Sequence, residues 1–139
     1  KTFTQNMTLS VFTAARPVVA PGKEGVVYYP SMGLQVSTDN GKTFTRMDSL
    51  AACLAVGLGK GKTDSDPYTI FVWGKPTNDD SIGLYWSEDE GKTWSKVSDD
   101  QHQFGGPGNG YFVVGDMNKY GRVYMSTVGL GVVYGDLVQ

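Results

Sequence analysis

The sequence predicts an all-β protein assembled from repeated four-stranded antiparallel sheets, and three features carry that prediction. The first is composition. Nineteen of the 139 residues are Gly, aromatics make up 12% and charged residues only 19%, a mix suited to short strands and tight turns rather than to long helices. The second is a gapless internal repeat at an offset of 50 residues. The third is a set of short apolar runs within each repeat, each bounded by Gly, Pro, Asn or Asp as strands require.

The repeat is read most directly where Gly33-Leu34-Gln35-Val36-Ser37-Thr38-Asp39-Asn40-Gly41-Lys42-Thr43-Phe44 aligns with Gly83-Leu84-Tyr85-Trp86-Ser87-Glu88-Asp89-Glu90-Gly91-Lys92-Thr93-Trp94, seven of twelve positions being identical. The opening Lys1-Thr2-Phe3-Thr4 matches Lys42-Thr43-Phe44-Thr45 and Lys92-Thr93-Trp94-Ser95. Gly131-Val132-Val133-Tyr134-Gly135-Asp136 starts the motif again 48 residues after Gly83. The chain is therefore expected to begin and end inside a repeat and to be a processed or excised product. Its first residues carry neither the charged nor the apolar region of a signal peptide.

Taken in order, the first repeat predicts strands over residues 11–19, 25–29, 33–38 and 43–47. The second predicts them over 54–59, 68–74, 83–87 and 93–97, and the third over 111–115, 122–127 and 131–135. Residues 49–56 also have the propensity for a helix. Four strands in a period of about 50 residues are the mark of a β-propeller blade. The expected organisation is an incomplete propeller over residues 1–139: a last strand of a preceding blade (1–6), two complete blades (8–47 and 50–97) and three strands of a final blade (108–139).

The repeated turn explains its own residue types. Asp39 and Asp89 are short carboxylates placed to accept backbone N–H bonds across a tight hairpin, and Gly41 and Gly91 supply a positive φ. Phe44 and Trp94, on the outgoing strand, pin the hairpin to the core. A set that recurs in each copy, Ser37 and Thr43 in one and Ser87 and Thr93 in the next, is structural, since catalytic residues have no reason to repeat.

Several function classes are excluded by what is present. Twelve basic residues against 14 acidic ones, a net charge of −2, form no basic face for nucleic acid. No run of 18 apolar residues spans a membrane. One Cys and one His cannot build a zinc site, and no cofactor or metal is expected; Cys53, in an apolar run, is read as a core residue. The sequence Gly57-Leu58-Gly59-Lys60-Gly61-Lys62-Thr63 lacks the spacing of a phosphate loop. Trp73 and Trp86, on predicted strands, are read as packing residues. The loop acids Asp64, Asp66, Asp79, Asp80, Asp99, Asp100 and Asp116 are read as turn formers, and adjacent pairs among them point to opposite sides when extended.

The motif Ser-x-Asp-x-Gly-x-Thr-aromatic at 37–44 and 87–94 resembles the Asp-box of sialidases and related propellers. Val56-Gly57-Leu58-Gly59-Lys60, Ile70-Phe71-Val72-Trp73-Gly74, Asp99-Asp100-Gln101-His102-Gln103-Phe104-Gly105-Gly106, Gly115-Asp116 and Tyr120-Gly121-Arg122-Val123-Tyr124-Met125-Ser126-Thr127 narrow the likeness. Together they resemble the C-terminal end of glycoside hydrolase family 74, the xyloglucan-cleaving endo-glucanases and their reducing-end-specific relatives. Val128 and Leu130 depart from that family, where a polar residue is expected.

The resemblance implies a secreted, extracellular enzyme of two seven-bladed propellers that hydrolyses β-1,4-glucan backbones with inversion. It also implies that the catalytic acid and base lie outside this chain, which is then inactive alone and contributes scaffold and cleft wall. The alternative is a non-catalytic carbohydrate-binding or sensing module. Gln101, His102, Gln103 and Phe104 precede a Gly-rich connection between blades. They offer hydrogen-bonding groups and an aromatic ring for a β-glucan or xyloglucan oligosaccharide, and equally serve to tie the blade junction. Two blades and three strands leave sheet faces and edges open, so the expected partner is the rest of the parent polypeptide or a second copy.

Overall fold

The computed structural model describes residues 2–3, 15–98 and 112–137. Among them are eleven strands and no helix, in three antiparallel sheets. The first holds β1 (Val18–Val19), β2 (Val27–Ser31), β3 (Gly33–Ser37) and β4 (Thr45–Met47) in that spatial order. The second holds β5 (Ala52–Gly59), β6 (Thr69–Lys75), β7 (Gly83–Ser87) and β8 (Ser95–Lys96), again in chain order. The third holds β9 (Val113–Gly115), β10 (Val123–Ser126) and β11 (Val132–Gly135), with β10 in the middle.

These are sheets of the propeller-blade kind, each a meander that starts at its first strand and runs outward. The outer strands β4 and β8 are shorter than the apolar runs suggest because the residues just before them, Thr43 and Thr93, are spent on the turn. The expected first strand over 11–19 is seen as strand only at Val18–Val19. Pro17, with no N–H to give a ladder, precedes it, and residues 4–14 lie outside the described residues, as does most of the expected strand at 2–6.

The helical propensity of residues 49–56 is overridden. Leu50 closes a turn, its N–H donating to the Met47 carbonyl at 3.4 Å, and β5 begins at Ala52. The reason is position: β5 lies in a sheet covered on both sides, and only an extended backbone can pair with β6 while sending successive side chains to opposite faces. Cys53, Val56 and Leu58 enter the core shared with the first sheet, and Ala55 enters the core shared with the third. An irregularity between Cys53 and Ala55 sets that alternation. Cys53 is 2% exposed, its burial pushing the thiol pKa up. On β6, Ile70 and Val72 face the first core and Phe71 the second.

The second and third sheets approach through glycine. A Cβ on Gly57 would strike the Val113 carbonyl, and one on Gly59 would sit 3.3 Å from the Gly115 Cα. Gly57→Ala is therefore expected to cost about 1–3 kcal/mol through forced separation of backbones. Gly135→Ala, where nothing lies within 4 Å, is expected to stay within about 0.5 kcal/mol. Urea denaturation of the two variants checks this, and equal midpoints would contradict the packing argument.

Candidate functional site

The repeated turn is a closed hydrogen-bond network. In the first copy the Ser37 hydroxyl donates to Asp39 Oδ1 at 2.8 Å and accepts the Gly41 N–H at 2.8 Å. Asp39 Oδ1 accepts the Thr43 N–H at 2.9 Å and Oδ2 accepts the Thr43 hydroxyl at 2.6 Å. Ser87, Asp89, Gly91 and Thr93 repeat each bond to within 0.1 Å. Both positions before the Gly are left-handed as well, Asn40 at φ 62° and Glu90 at φ 60°, followed by Gly41 at 79° and Gly91 at 84°. The Thr43 hydroxyl, ahead of its backbone N–H and Ser37, holds the Asp39 carboxyl down to about 2. Asp89 is lowered likewise, led by the Thr93 hydroxyl.

The aromatic that follows each turn docks it. Phe44 meets Tyr29 edge-on, ring centroids 6.5 Å apart. Trp94 Nε1 donates to the Ser49 hydroxyl at 3.2 Å, and that hydroxyl donates to the Gly91 carbonyl. The second turn is thus stapled to the end of the first sheet. In the third sheet Gly135 and Leu137 stand where the others carry Ser and Asp. There the carboxylate moves to Asp136, which accepts Arg122 Nε and Nη2, both at 2.7 Å, and Lys119 Nζ at 2.9 Å. The Arg122 guanidinium, ahead of Lys119, holds the Asp136 carboxyl far below its usual range.

Four of the described loop acids are held by local bonds. Asp66 accepts the N–H and hydroxyl of Thr63, and Asp80 those of Thr77. Asp116 accepts the Asn118 N–H at 2.8 Å, and Asp64 pairs with Lys60 at 3.4 Å. Among the described residues no cluster of His, Cys, Asp or Glu is arranged to hold a metal ion. Trp86 lies between Phe71 and Tyr120, with centroids 6.0 and 6.1 Å away, and packs with Trp73 against the second core.

An open groove of about 370 Å³ lies where the first strands of the three sheets begin. It is lined by Arg16, Pro17 and Val18 leading into β1, by Leu54, Ala55 and Val56 of β5, and by Phe112, Val113 and Val114 leading into β9, with Pro30 behind. Register makes Arg16, Ala55 and Phe112 equivalent: each stands two residues before the partner of Tyr28, Phe71 or Tyr124. The three sheets thus offer the groove a guanidinium, a methyl group and an aromatic ring at one ladder position. Phe112 is clamped by Ser126, its N–H donating to the hydroxyl at 3.1 Å and its carbonyl accepting the Ser126 N–H at 3.2 Å. An apolar floor with one ring and a fan of donors suits a ligand with flat C–H faces and many hydroxyls. Gln101, His102, Gln103 and Phe104 lie outside the described residues, eight or more positions before Phe112. Sequence reading missed this groove because its residues differ between repeats and Leu54 sits inside a continuous apolar run.

No family model matches the chain. A xyloglucanase of Acetivibrio thermocellus is 37% identical over 118 residues, covering 84% of this chain and 14% of that enzyme. An oligoxyloglucan-reducing end-specific xyloglucanase of Emericella nidulans is 32% identical over 137 residues, covering 93% of this chain and 16% of that enzyme. Among solved structures, a glycoside hydrolase family 74 enzyme of Niastella koreensis is 41% identical with a TM-score of 0.79, covering 89% of this chain and 18% of that one. The family 74 xyloglucanase of Xanthomonas campestris is 29% identical with a TM-score of 0.76, covering 94% of this chain and 18% of that one. The chain therefore spans less than a fifth of the length of each of these relatives.

Two outcomes follow from the turn. Ser87 is 2% exposed, and Ser87→Ala removes the acceptor of the buried Gly91 N–H, which should cost about 1–3 kcal/mol in chemical denaturation. Asp39 is a carboxylate with a folded pKa of about 2 against an ordinary 3.8. Its contribution is present above the unfolded value and is lost as the pH falls through the folded one. Melting temperature should fall between about pH 4 and pH 2, and Asp39→Asn should flatten that part of the profile; an unchanged slope would contradict the assignment.

Proposed function

We propose, from the homology of this chain to a segment of glycoside hydrolase family 74 xyloglucanases, that it is a C-terminal propeller portion of a secreted xyloglucan-specific endo-β-1,4-glucanase, an inverting glycoside hydrolase. In this reading the chain supplies scaffold and cleft wall. The observation that carries it is the continuous likeness to family 74 enzymes in both sequence and three-sheet geometry. The groove supports it chemically: Phe112 offers a stacking surface for a pyranose face and Arg16 donors for hydroxyls, while Gln101, His102, Gln103 and Phe104 precede that ring in the chain.

Inverting hydrolysis needs an acid and a base carboxyl about 6.5–9.5 Å apart across the scissile bond. No carboxylate is among the residues that line the groove, and of the described loop acids Asp64, Asp66, Asp80 and Asp116 are engaged in turns or an ion pair. In this reading the acid and base lie in the rest of the parent polypeptide. The same observation favours, as a second reading, a carbohydrate-binding or sensing module without catalysis.

Calorimetric titration with xyloglucan oligosaccharides separates these ideas from scaffold alone. Phe112→Ala should weaken binding about fivefold, the loss of roughly 1 kcal/mol of stacking, with the melting temperature unchanged. A Gln103→Ala variant should weaken it similarly if that segment contacts sugar. The chain by itself should release no reducing ends from xyloglucan; release abolished by one Asp substitution within residues 1–139 would overturn the reading.

A further inference from the structure

The turn between β3 and β4 carries a reactive group that its copy between β7 and β8 lacks. Asn40 is followed by Gly41, whereas Glu90 is followed by Gly91. Asparagine before glycine is the pair most open to cyclisation in an unrestrained chain, because glycine has no Cβ to shield its backbone nitrogen from the neighbouring amide. Asn40 is exposed, so water reaches it. Yet the nitrogen that would attack is occupied: the Gly41 N–H donates to the Ser37 hydroxyl at 2.8 Å, and Ser37 is 1% exposed. The Asn40 N–H in turn donates to the Gly25 carbonyl at 3.0 Å, which holds the residue at its φ of 62°.

We propose that Asn40 is a modification site held shut by the turn, and that it deamidates only when the Ser37–Gly41 bond opens. The reaction needs only water and hydroxide. The Gly41 nitrogen gives its proton to hydroxide and attacks Asn40 Cγ; the Cγ–Nδ2 bond breaks, and Nδ2 takes a proton from water and leaves as ammonia. A cyclic imide remains. Water then opens it at one of its two carbonyls. Addition at Cγ breaks the new bond and leaves an aspartate. Addition at the backbone carbonyl breaks the original peptide bond and leaves an isoaspartate, whose main chain runs through Cγ. The imide nitrogen carries no hydrogen, so the ring cannot form while that N–H is held by Ser37. The gate is therefore local opening of the turn rather than access to the side chain.

The two products differ in what they do to the fold. A carboxylate at this position is compatible with the turn: Glu90 occupies it at φ 60°, with the Gly91 N–H still donating to Ser87 at 2.8 Å. An isoaspartate inserts one extra carbon into the main chain between Asp39 and Gly41. The spacing by which Ser37 and Asp39 meet the N–H groups of Gly41 and Thr43 is then lost, and the turn cannot close again. The proposal concerns this turn alone and does not depend on the glucan reading.

The test follows conversion at Asn40 by peptide mapping with isoaspartate detection, in the 139-residue chain at mildly alkaline pH. The native chain should convert at least about tenfold more slowly than the same chain in urea. There Asn109–Gly110, the other Asn-Gly pair in the sequence and outside the described residues, serves as the reference for an unrestrained site. As urea is raised, conversion at Asn40 should climb in step with hydrogen exchange at the Gly41 N–H. Ser37→Ala removes the acceptor and should speed conversion roughly tenfold. Thr43→Ala, which loosens the turn but leaves Ser37 in place, should act in the same direction and decides the matter if Ser37→Ala does not fold. Asn40→Asp should leave the melting temperature unchanged, and material enriched in isoaspartate should melt lower. Equal rates in the native and urea-unfolded chain, or conversion that rises without exchange at Gly41, would overturn the proposal. So would folded Ser37→Ala and Thr43→Ala variants that convert no faster than the unsubstituted chain.

Discussion

The structure depends on one constraint: the middle sheet is buried on both faces. Sheets that lie against water on one side can alternate apolar and polar residues, but β5, β6 and β7 have no such side. Cys53, Val56, Leu58, Ile70, Val72 and Tyr85 fill one core, while Ala55, Phe71 and Leu84 fill the other. The spacing between sheets is then set by the bulkiest pair on each face. Where β5 meets β9, Gly57, Gly59 and Gly115 bring backbones together, while farther out Phe71 and Trp86 hold the sheets apart. The second and third sheets are therefore in close contact at their first strands, and the groove lies beside that contact.

The same architecture decides why the hairpins need so polar a turn. Each outer strand is only two or three residues long and has little apolar burial to hold it. The Ser-x-Asp-x-Gly-x-Thr network makes up for that with local bonds that bind the turn to the start of the outer strand. Ionised Asp accepts from both the N–H and the hydroxyl of the Thr, a charge-assisted arrangement stronger than neutral pairs. The third sheet reaches a similar end differently: Asp136 bridges Arg122 and Lys119, and Leu137 folds back so that its N–H donates to the Gly121 carbonyl at 3.1 Å. A carboxylate fixes the chain after β11 just as it does after β3 and β7, but through long side chains rather than a turn.

What was legible in the sequence was whatever repeats. The 50-residue offset located the strands around Gly33 and Gly83, and Asp39 and Asp89 were recognisable as turn acceptors because they recur with Ser, Gly and Thr at fixed distances. Strand ends were less legible. Thr43 and Thr93 look like strand residues by type, yet their N–H groups are taken by the Asp. Residues 49–56 were ambiguous because a strand buried on both faces loses the period-two signal, leaving Ala, Leu and Cys that also suit a helix. Asn40 and Glu90 gave no hint of positive φ, since the strain is imposed by the hydrogen bonds on either side.

The groove was illegible for the opposite reason, and this has a general physical basis. Some positions that pack between sheets keep their size and polarity from copy to copy, as Leu34 and Leu84 do. Along β1, β5 and β9 the groove-lining positions are less uniform: Ala55 is also part of the core shared with the third sheet, while Arg16 is exposed. Arg16, Ala55 and Phe112 share one ladder position yet have nothing chemical in common. A repeat search averages such differences away, although three unlike side chains brought side by side are what give a surface the asymmetry to hold a ligand in one orientation. In a repeated fold the scaffold is read from agreement between copies, and a candidate site from ladder positions at which the copies disagree.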